Sequence, residues 1–264
     1  MKLFFIVLLF IANAGYSQMK GDIMLGVAGY SGDLTKSSIP YKTLGPALSL
    51  NLKYPIVGNF AFLRAGISYG WISGDDKYNT EAGALQSRNL NFKSEILEGS
   101  LCAEINLLDP DDFIGYPYLF AGVGLYHFNP YTKDKDNKKV FLWDLGTEGQ
   151  GLAAYPDKKM YSLTQVCIPF GGGVKFKLND QIDLALEVGE RLLFTDYLDD
   201  VSTTYADPKV LLNARGAKAV ELADRSIEQP PAIEGMQRGN PKSKDWYFIG
   251  GLKLQVKLGE IISE

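Results

Sequence analysis

The stretch Leu97-Glu98-Gly99-Ser100-Leu101-Cys102-Ala103-Glu104-Ile105-Asn106-Leu107 alternates strictly. Leu97, Gly99, Leu101, Ala103, Ile105 and Leu107 fall on one side. Glu98, Ser100, Cys102, Glu104 and Asn106 fall on the other. Side chains of a β-strand point to opposite faces with period two, so this is a strand with one greasy and one polar face.

Seven more segments repeat the pattern. Ile23, Leu25 and Val27 alternate in the first, and Leu48, Leu50, Leu52 and Tyr54 oppose Ser49, Asn51 and Lys53 in the second. Leu63, Ala65, Ile67, Tyr69 and Trp71 oppose Arg64, Gly66, Ser68 and Gly70 in the third. After the quoted stretch come Tyr118 to Phe128, apolar on both faces, and Val166 to Phe176 with Cys167, Lys175 and Lys177 opposite. The last two are Ile182 to Val188, opposite Asp183, Glu187 and Arg191, and Trp246 to Leu258, opposite Lys253, Gln255 and Lys257.

The connections sort by parity. Those around Pro55–Asn59, Asp109–Pro117 and Asn179–Gln181 are short, whereas Ser31–Thr43, Gly74–Phe92, Asn129–Tyr161 and Thr195–Asp245 are long and polar. Short turns on one rim and long loops on the other are the pattern of transmembrane barrels. The sequence therefore predicts an all-β chain: an eight-stranded antiparallel outer-membrane β-barrel with short periplasmic turns and long extracellular loops. Ten or twelve strands is the alternative if the longest loops add a hairpin. Alternation by itself fits equally a soluble barrel with its apolar face inside.

Aromatic residues bear on that choice. Tyr69, Trp71, Phe194 and Trp246 fall at the outer strand ends, and Tyr54, Phe62 and Phe176 at the inner ends, as expected of interfacial girdles. The polar face carries Lys53, Arg64, Glu98, Glu104, Lys175, Lys177, Asp183, Glu187, Arg191, Lys253 and Lys257. Eight strands enclose a lumen just wide enough to be filled by side chains, so these charges must pair. Glu187 or Glu104 with Arg191 or Arg64 are the expected pairs, and a filled barrel of this size is not a diffusion pore.

Residues 1–17 read as a cleaved signal peptide: Lys2, the apolar run Leu3 to Ala12, then Gly15 and Ser17 before Gln18. Residues 18–264 form the barrel domain. No stretch after Ala12 is long and apolar enough for a helical span. The last strand, through Gly251, Leu254, Val256 and Leu258, has the spacing of a barrel-assembly signal, although Gly259 to Glu264 trail beyond it. The formal charge of −4 comes without any basic block, which excludes a nucleic-acid partner. The best helical period, Ala214 to Asp224, lies in a polar loop.

Candidate chemistry is sparse. Asp196, Asp199 and Asp200 open the longest loop and are the one set of oxygen ligands for a hard cation, although aspartates equally cap turns. His127 is the sole histidine and has no serine at a spacing that suits an activated nucleophile, so neither catalysis nor a cofactor is expected. Thr147 to Gly151 reads as a flexible turn, and Gly171-Gly172-Gly173 as a bend or close packing within a strand. Cys102 and Cys167 are expected as free thiols, on strands two apart and at different heights.

Arg88 to Ser94, Pro117 to Gly122, Thr147 to Gly151, Ile168 to Gly171 and Thr195 to Ser202, in that order, resemble a family of small outer-membrane barrels of Bacteroidetes. That family is similar to PorG of the type IX secretion system. The resemblance implies a non-enzymatic component that anchors or scaffolds an envelope assembly, with outer-membrane lipid or lipopolysaccharide and periplasmic secretion-ring proteins as partners. The segment Pro208 to Lys244 departs from the pattern. A surface barrel that binds a ligand or host through its long loops is the alternative, and a lipid A-modifying enzyme the remaining one.

Overall fold

The computed structural model describes residues 19–35, 41–79, 84–227 and 230–258. The expected signal peptide (1–17), Gln18 and the trailing residues 259–264 lie outside them.

Eight long strands form the wall: β1 (Met19–Ser31), β2 (Leu44–Val57), β3 (Ala61–Asp75), β4 (Asn91–Asn106), β5 (Gly115–His127), β8 (Thr164–Lys177), β9 (Ile182–Leu193) and β10 (Trp246–Leu258). Each pairs antiparallel with its neighbours. β3 joins β4 and β1 joins β10, so the eight-stranded wall closes on itself. The third long connection does add a hairpin, β6 (Tyr131–Lys133) and β7 (Lys139–Phe141). It touches the wall through a single pairing, Lys93 with Tyr131, and stands on the rim without widening the barrel.

The two faces resolve the ambiguity between a soluble and a membrane barrel. Leu25 is 64% exposed, Ile67 61% and Leu186 60%, whereas Lys53, Glu98, Glu104 and Lys253 are fully buried. The greasy side is therefore outside and the charged side inside. An apolar belt encircling the molecule far exceeds the patches that a water-soluble monomer tolerates. Strands of 12 to 16 residues at about 3.3 Å per residue are long enough, even at the roughly 45° tilt of transmembrane barrels, to span the roughly 25 Å apolar band such barrels present to lipid.

On β5, whose faces the sequence left undecided, Tyr116, Tyr118, Phe120 and Tyr126 point inward and Leu119, Val123 and Leu125 outward. The glycines of β8 mark close packing: a Cβ on Gly171 would sit 2.3 Å from the Val188 carbonyl oxygen, and one on Gly173 2.9 Å from the Tyr118 hydroxyl.

The long connections are not loose. They fold over the outer mouth as a cap that contains α1 (Ala84–Arg88), α2 (Pro208–Arg215) and α3 (Ala217–Ala223). The segment that sequence reasoning could not place supplies α2 and α3. Asp207 caps α2, accepting from the Lys209 N–H at 2.7 Å ahead of Pro208 at the first turn. Leu222 of α3 reaches an apolar core shared with Tyr30, Phe92, Leu198 and Ile249.

Candidate functional site: a charged lumen beneath a closed cap

Because β-strand side chains alternate, the inward charges of facing strands meet inside the barrel in tiers. Toward the periplasmic end, Lys53 Nζ lies 2.8 Å from Glu104 Oε1 and 3.1 Å from Asp22 Oδ2, and it donates to Gln255 Oε1 at 2.7 Å. Lys175 Nζ reaches the same Glu104 oxygen at 2.5 Å and Asn106 Oδ1 at 2.8 Å. Gln255 Nε2 donates to Asp183 Oδ2 at 2.6 Å.

In the middle tier, Arg64 binds Glu187 with both Nη atoms at 2.9 Å and approaches Glu104 Oε2 at 3.5 Å. Glu187 also takes Lys253 Nζ and the Tyr118 hydroxyl. The Arg64 guanidinium stacks 4.6 Å over the Phe120 ring. Above it, Arg191 Nε donates to Glu98 Oε2 at 2.7 Å, and the Tyr247 hydroxyl donates to the same oxygen at 2.6 Å.

The expected lumen charges therefore do converge, with corrections. Arg191 pairs with Glu98, not with Glu187 or Glu104. Lys177 and Lys257 lie at the periplasmic rim, where Lys177 pairs with Asp180 at 3.0 Å and Lys257 is exposed. Asp22 belongs to the network and Lys20 is buried beside it over the Phe62 ring; both were missed, because the first strand was read only from its apolar residues, and they share the parity of Met24, opposite Ile23 and Leu25.

The interior is not polar throughout. Its outer half holds a column of rings: Tyr126 on Phe128 at 5.5 Å, Phe128 on Tyr161 at 6.0 Å, and Tyr161 on Tyr197 at 4.9 Å. Charged groups fill the lower lumen and aromatic groups the upper.

The cap is organised by Glu148, which sequence reasoning passed over inside a supposed flexible turn. Gly149 and Gly151, at φ +86° and +72°, fold Thr147 to Gly151 so that Glu148 is completely buried. Its carboxylate accepts from the backbone N–H groups of Ser202 and Thr203 at 2.9 Å and from Tyr197 at 3.1 Å, and it faces Arg238 at 3.2 Å. Arg238 donates onward to the Asp200 carbonyl at 2.6 Å.

The three aspartates considered for a cation take separate partners. Asp196 accepts from Ser202 Oγ, Asp199 from the Tyr30 hydroxyl and the Val201 N–H, and Asp200 from Thr147 and Tyr161. Among the described residues no three acidic, histidine or cysteine side chains converge as a metal site. Burial pushes Asp196 up to about 7 and Asp200 up to about 6; it also raises Asp199 and Asp245 well above the carboxylate range, helped by Asp33 close to Asp199 and by Asp199 close to Asp245.

Of the girdle residues, Trp71, Phe194, Tyr54 and Phe176 are exposed on the outer face, and Tyr69 and Trp246 are half-buried there. Tyr69 and Trp71 meet edge-on at 4.7 Å. Phe62 is the exception: it points into the lumen, with the Lys20 ammonium 4.9 Å from its ring centre. His127 is exposed, its Nδ1 2.9 Å from Thr164 Oγ1 across the β5–β8 pairing. Cys102 and Cys167 are free thiols. They pair with Gly122 and Gly124 of β5, which places them nearer in height than their positions along their own strands suggested.

No family model and no curated protein matches the sequence. Among solved structures, Neisserial surface protein A is similar at 11% identity and TM-score 0.44, with 91% of this chain and 97% of that one covered. A major outer membrane protein of Thermus thermophilus is similar at 12% identity and TM-score 0.41, covering 90% and 98%. OprG, an outer membrane protein of Pseudomonas aeruginosa, is similar at 10% identity and TM-score 0.37, covering 91% and 97%. By its own geometry, this chain is a closed eight-stranded β-barrel of the outer-membrane type, with a lipid-facing belt, a filled lumen and a folded cap.

Proposed function

We propose that this chain is a non-enzymatic outer-membrane barrel that anchors or scaffolds an envelope assembly. The observation that carries the reading is the closed interior: paired charges fill the lower lumen, an aromatic column fills the upper, and the cap covers the mouth. Among the described residues the inward side chains pair and stack with one another across the lumen, which leaves the two rims as the surfaces offered to partners.

The periplasmic rim offers Asp109, Asp111, Asp112, Phe113 and Ile114, all exposed on the connection between β4 and β5. A mixed acidic and apolar turn suits contact with a periplasmic protein. The resemblance to the Bacteroidetes barrels points to the ring of the type IX secretion system as that partner. The test is crosslinking of cells followed by detergent extraction and co-purification. Periplasmic ring proteins held by the wild type and released by substitution of Phe113 and Ile114 support the reading; no such partner, together with intact secretion in a deletion strain, defeats it.

One observation favours the alternative of a surface ligand- or host-binding barrel. The cap holds a cavity of about 360 Å³ between α2, α3 and Pro231, lined by Tyr205, Leu211, Val220 and Asp224. Loss of surface binding with retained secretion in the deletion strain favours that reading.

A further inference from the structure

The hairpin β6–β7 continues the wall beyond the lipid-facing belt, and its two faces differ. The inner face is occupied: Thr132 donates to Asn91 Oδ1 at 2.6 Å and accepts from Arg225 Nη1 at 3.0 Å, while Asp134 binds Lys218 at 3.0 Å. The outer face carries Tyr131 opposite Phe141 and Lys133 opposite Lys139. Beside it stands Lys93 of β4, paired with Tyr131. All three lysines are exposed.

Two like charges directly opposite in an antiparallel pair are destabilising. Here Lys133 faces Lys139, and Lys93 adds a third cation. Among the described residues, the carboxylate within ion-pair reach of these lysines is Glu95, 3.6 Å from Lys139 and already accepting from the Tyr69 hydroxyl at 2.7 Å. Lys139 Nζ lies 3.8 Å from the Tyr131 ring centre and 4.8 Å from that of Phe141. The result is a cationic and aromatic surface on a chain whose formal charge is −4.

Its height is fixed by register. Trp71 pairs with Glu95 and Ser73 with Lys93, so Lys93 sits two residues, about 7 Å along the strand, above the Tyr69–Trp71 girdle. Girdle aromatics lie at the level of the lipid headgroups. Lys93 therefore stands just above headgroup level, Lys139 reaches down to Glu95 at the level of Trp71, and Lys133 lies two residues further out, so the three ammonium groups bracket the zone of the outer-leaflet phosphates.

We propose that the outer face of β6–β7, with Lys93, Lys133 and Lys139, docks the phosphorylated sugar headgroup of an outer-leaflet glycolipid of the lipopolysaccharide type. The lysines hold phosphate oxygens, and Tyr131 and Phe141 lie against the boundary between sugar and acyl chains. This rests on the membrane reading of the barrel. Basic residues near an anionic membrane surface contribute about fivefold in binding each, so three give on the order of 100-fold.

The test uses the protein purified in detergent, its folded state verified by the heat-dependent shift of barrel mobility on gels. Binding of phosphorylated lipid A and of dephosphorylated lipid A is read by native mass spectrometry. The wild type retains the phosphorylated form, the dephosphorylated form binds far more weakly, and Lys93→Gln/Lys133→Gln/Lys139→Gln loses roughly 100-fold. Equal binding of the two lipids by the wild type overturns the proposal without need of any variant. So does a folded triple variant within about twofold of wild type, or inorganic phosphate bound as tightly as the lipid. A protein that stays soluble without detergent refutes the membrane reading instead, and is seen before any lipid is added.

Discussion

Arg64 on β3 and Glu187 on β9 meet across the lumen as a two-pronged ion pair, both Nη–Oε distances 2.9 Å, although 123 residues separate them in sequence. Removing Glu187 leaves Arg64 with only the longer 3.5 Å approach to Glu104 as an ion pair and Lys253 with only Asp22 at 3.8 Å, both in a nearly water-free interior. Glu187→Ala is expected to cost about 3–5 kcal/mol of stability, whereas Arg64→Met/Glu187→Leu costs less, because the Arg64 charge is no longer left behind even though Lys253 still loses Glu187. Urea unfolding of the barrel in lipid vesicles measures the three proteins. Equal losses in the single and double variants would show that the pair is not buried as described.

The cap should tighten in acid. The carboxyls of Asp196, Asp199, Asp200 and Asp245 hold their protons more strongly folded than unfolded, because burial opposes their charge. The folded cap thus binds more protons than the unfolded one, and stability falls as pH rises. Their contribution is complete below the ordinary carboxylate range near pH 4. It drains as pH climbs through about 6 for Asp200 and about 7 for Asp196. Hydrogen exchange of residues 196–206 between pH 5 and 8, corrected for intrinsic rates, should show protection declining. Asp199→Asn should flatten that decline; protection that rises with pH would contradict it.

Leu101 lies on the outward face of β4 in the middle of the belt. Leu101→Arg should cost about 2–4 kcal/mol when the barrel is folded into vesicles. In a water-soluble barrel the same exposed substitution would be nearly neutral. The free energy of folding into vesicles distinguishes the two.

Cys102 and Cys167 face the interior, both buried and unlinked. A membrane-permeant maleimide should label neither in the folded protein and both after unfolding in urea, without prior reductant. Labelling that requires reductant would mean a disulfide exists.

The period-two pattern and the parity of the connections were enough to name the eight wall strands, since each strand reports its two faces locally. β10 was read to the residue, Trp246 to Leu258. The faces of β5 were not legible, because its inward positions are tyrosine and phenylalanine rather than charged. Lys20 and Asp22 escaped for a related reason: a strand recognised by its apolar residues alone loses the polar end that extends past them. Glu148 was hidden more deeply. Nothing in Thr147 to Gly151 distinguishes a solvated turn from a folded one until Arg238, Ser202 and Thr203 are brought against it.

By itself the sequence determined where the eight wall strands run, the alternation of their faces and which residues carry charge, because these follow from the geometry of one extended chain; that the added hairpin leaves the wall at eight was decided by the structure. Tertiary structure decided that the greasy face is outside, that Glu187 belongs to Arg64 and Glu98 to Arg191, and that the long loops close into a cap. Those facts depend on closure of β1 against β10, which sets residues far apart in the chain at hydrogen-bonding distance. Ion pairing and burial act through space, and no spacing along the chain encodes them.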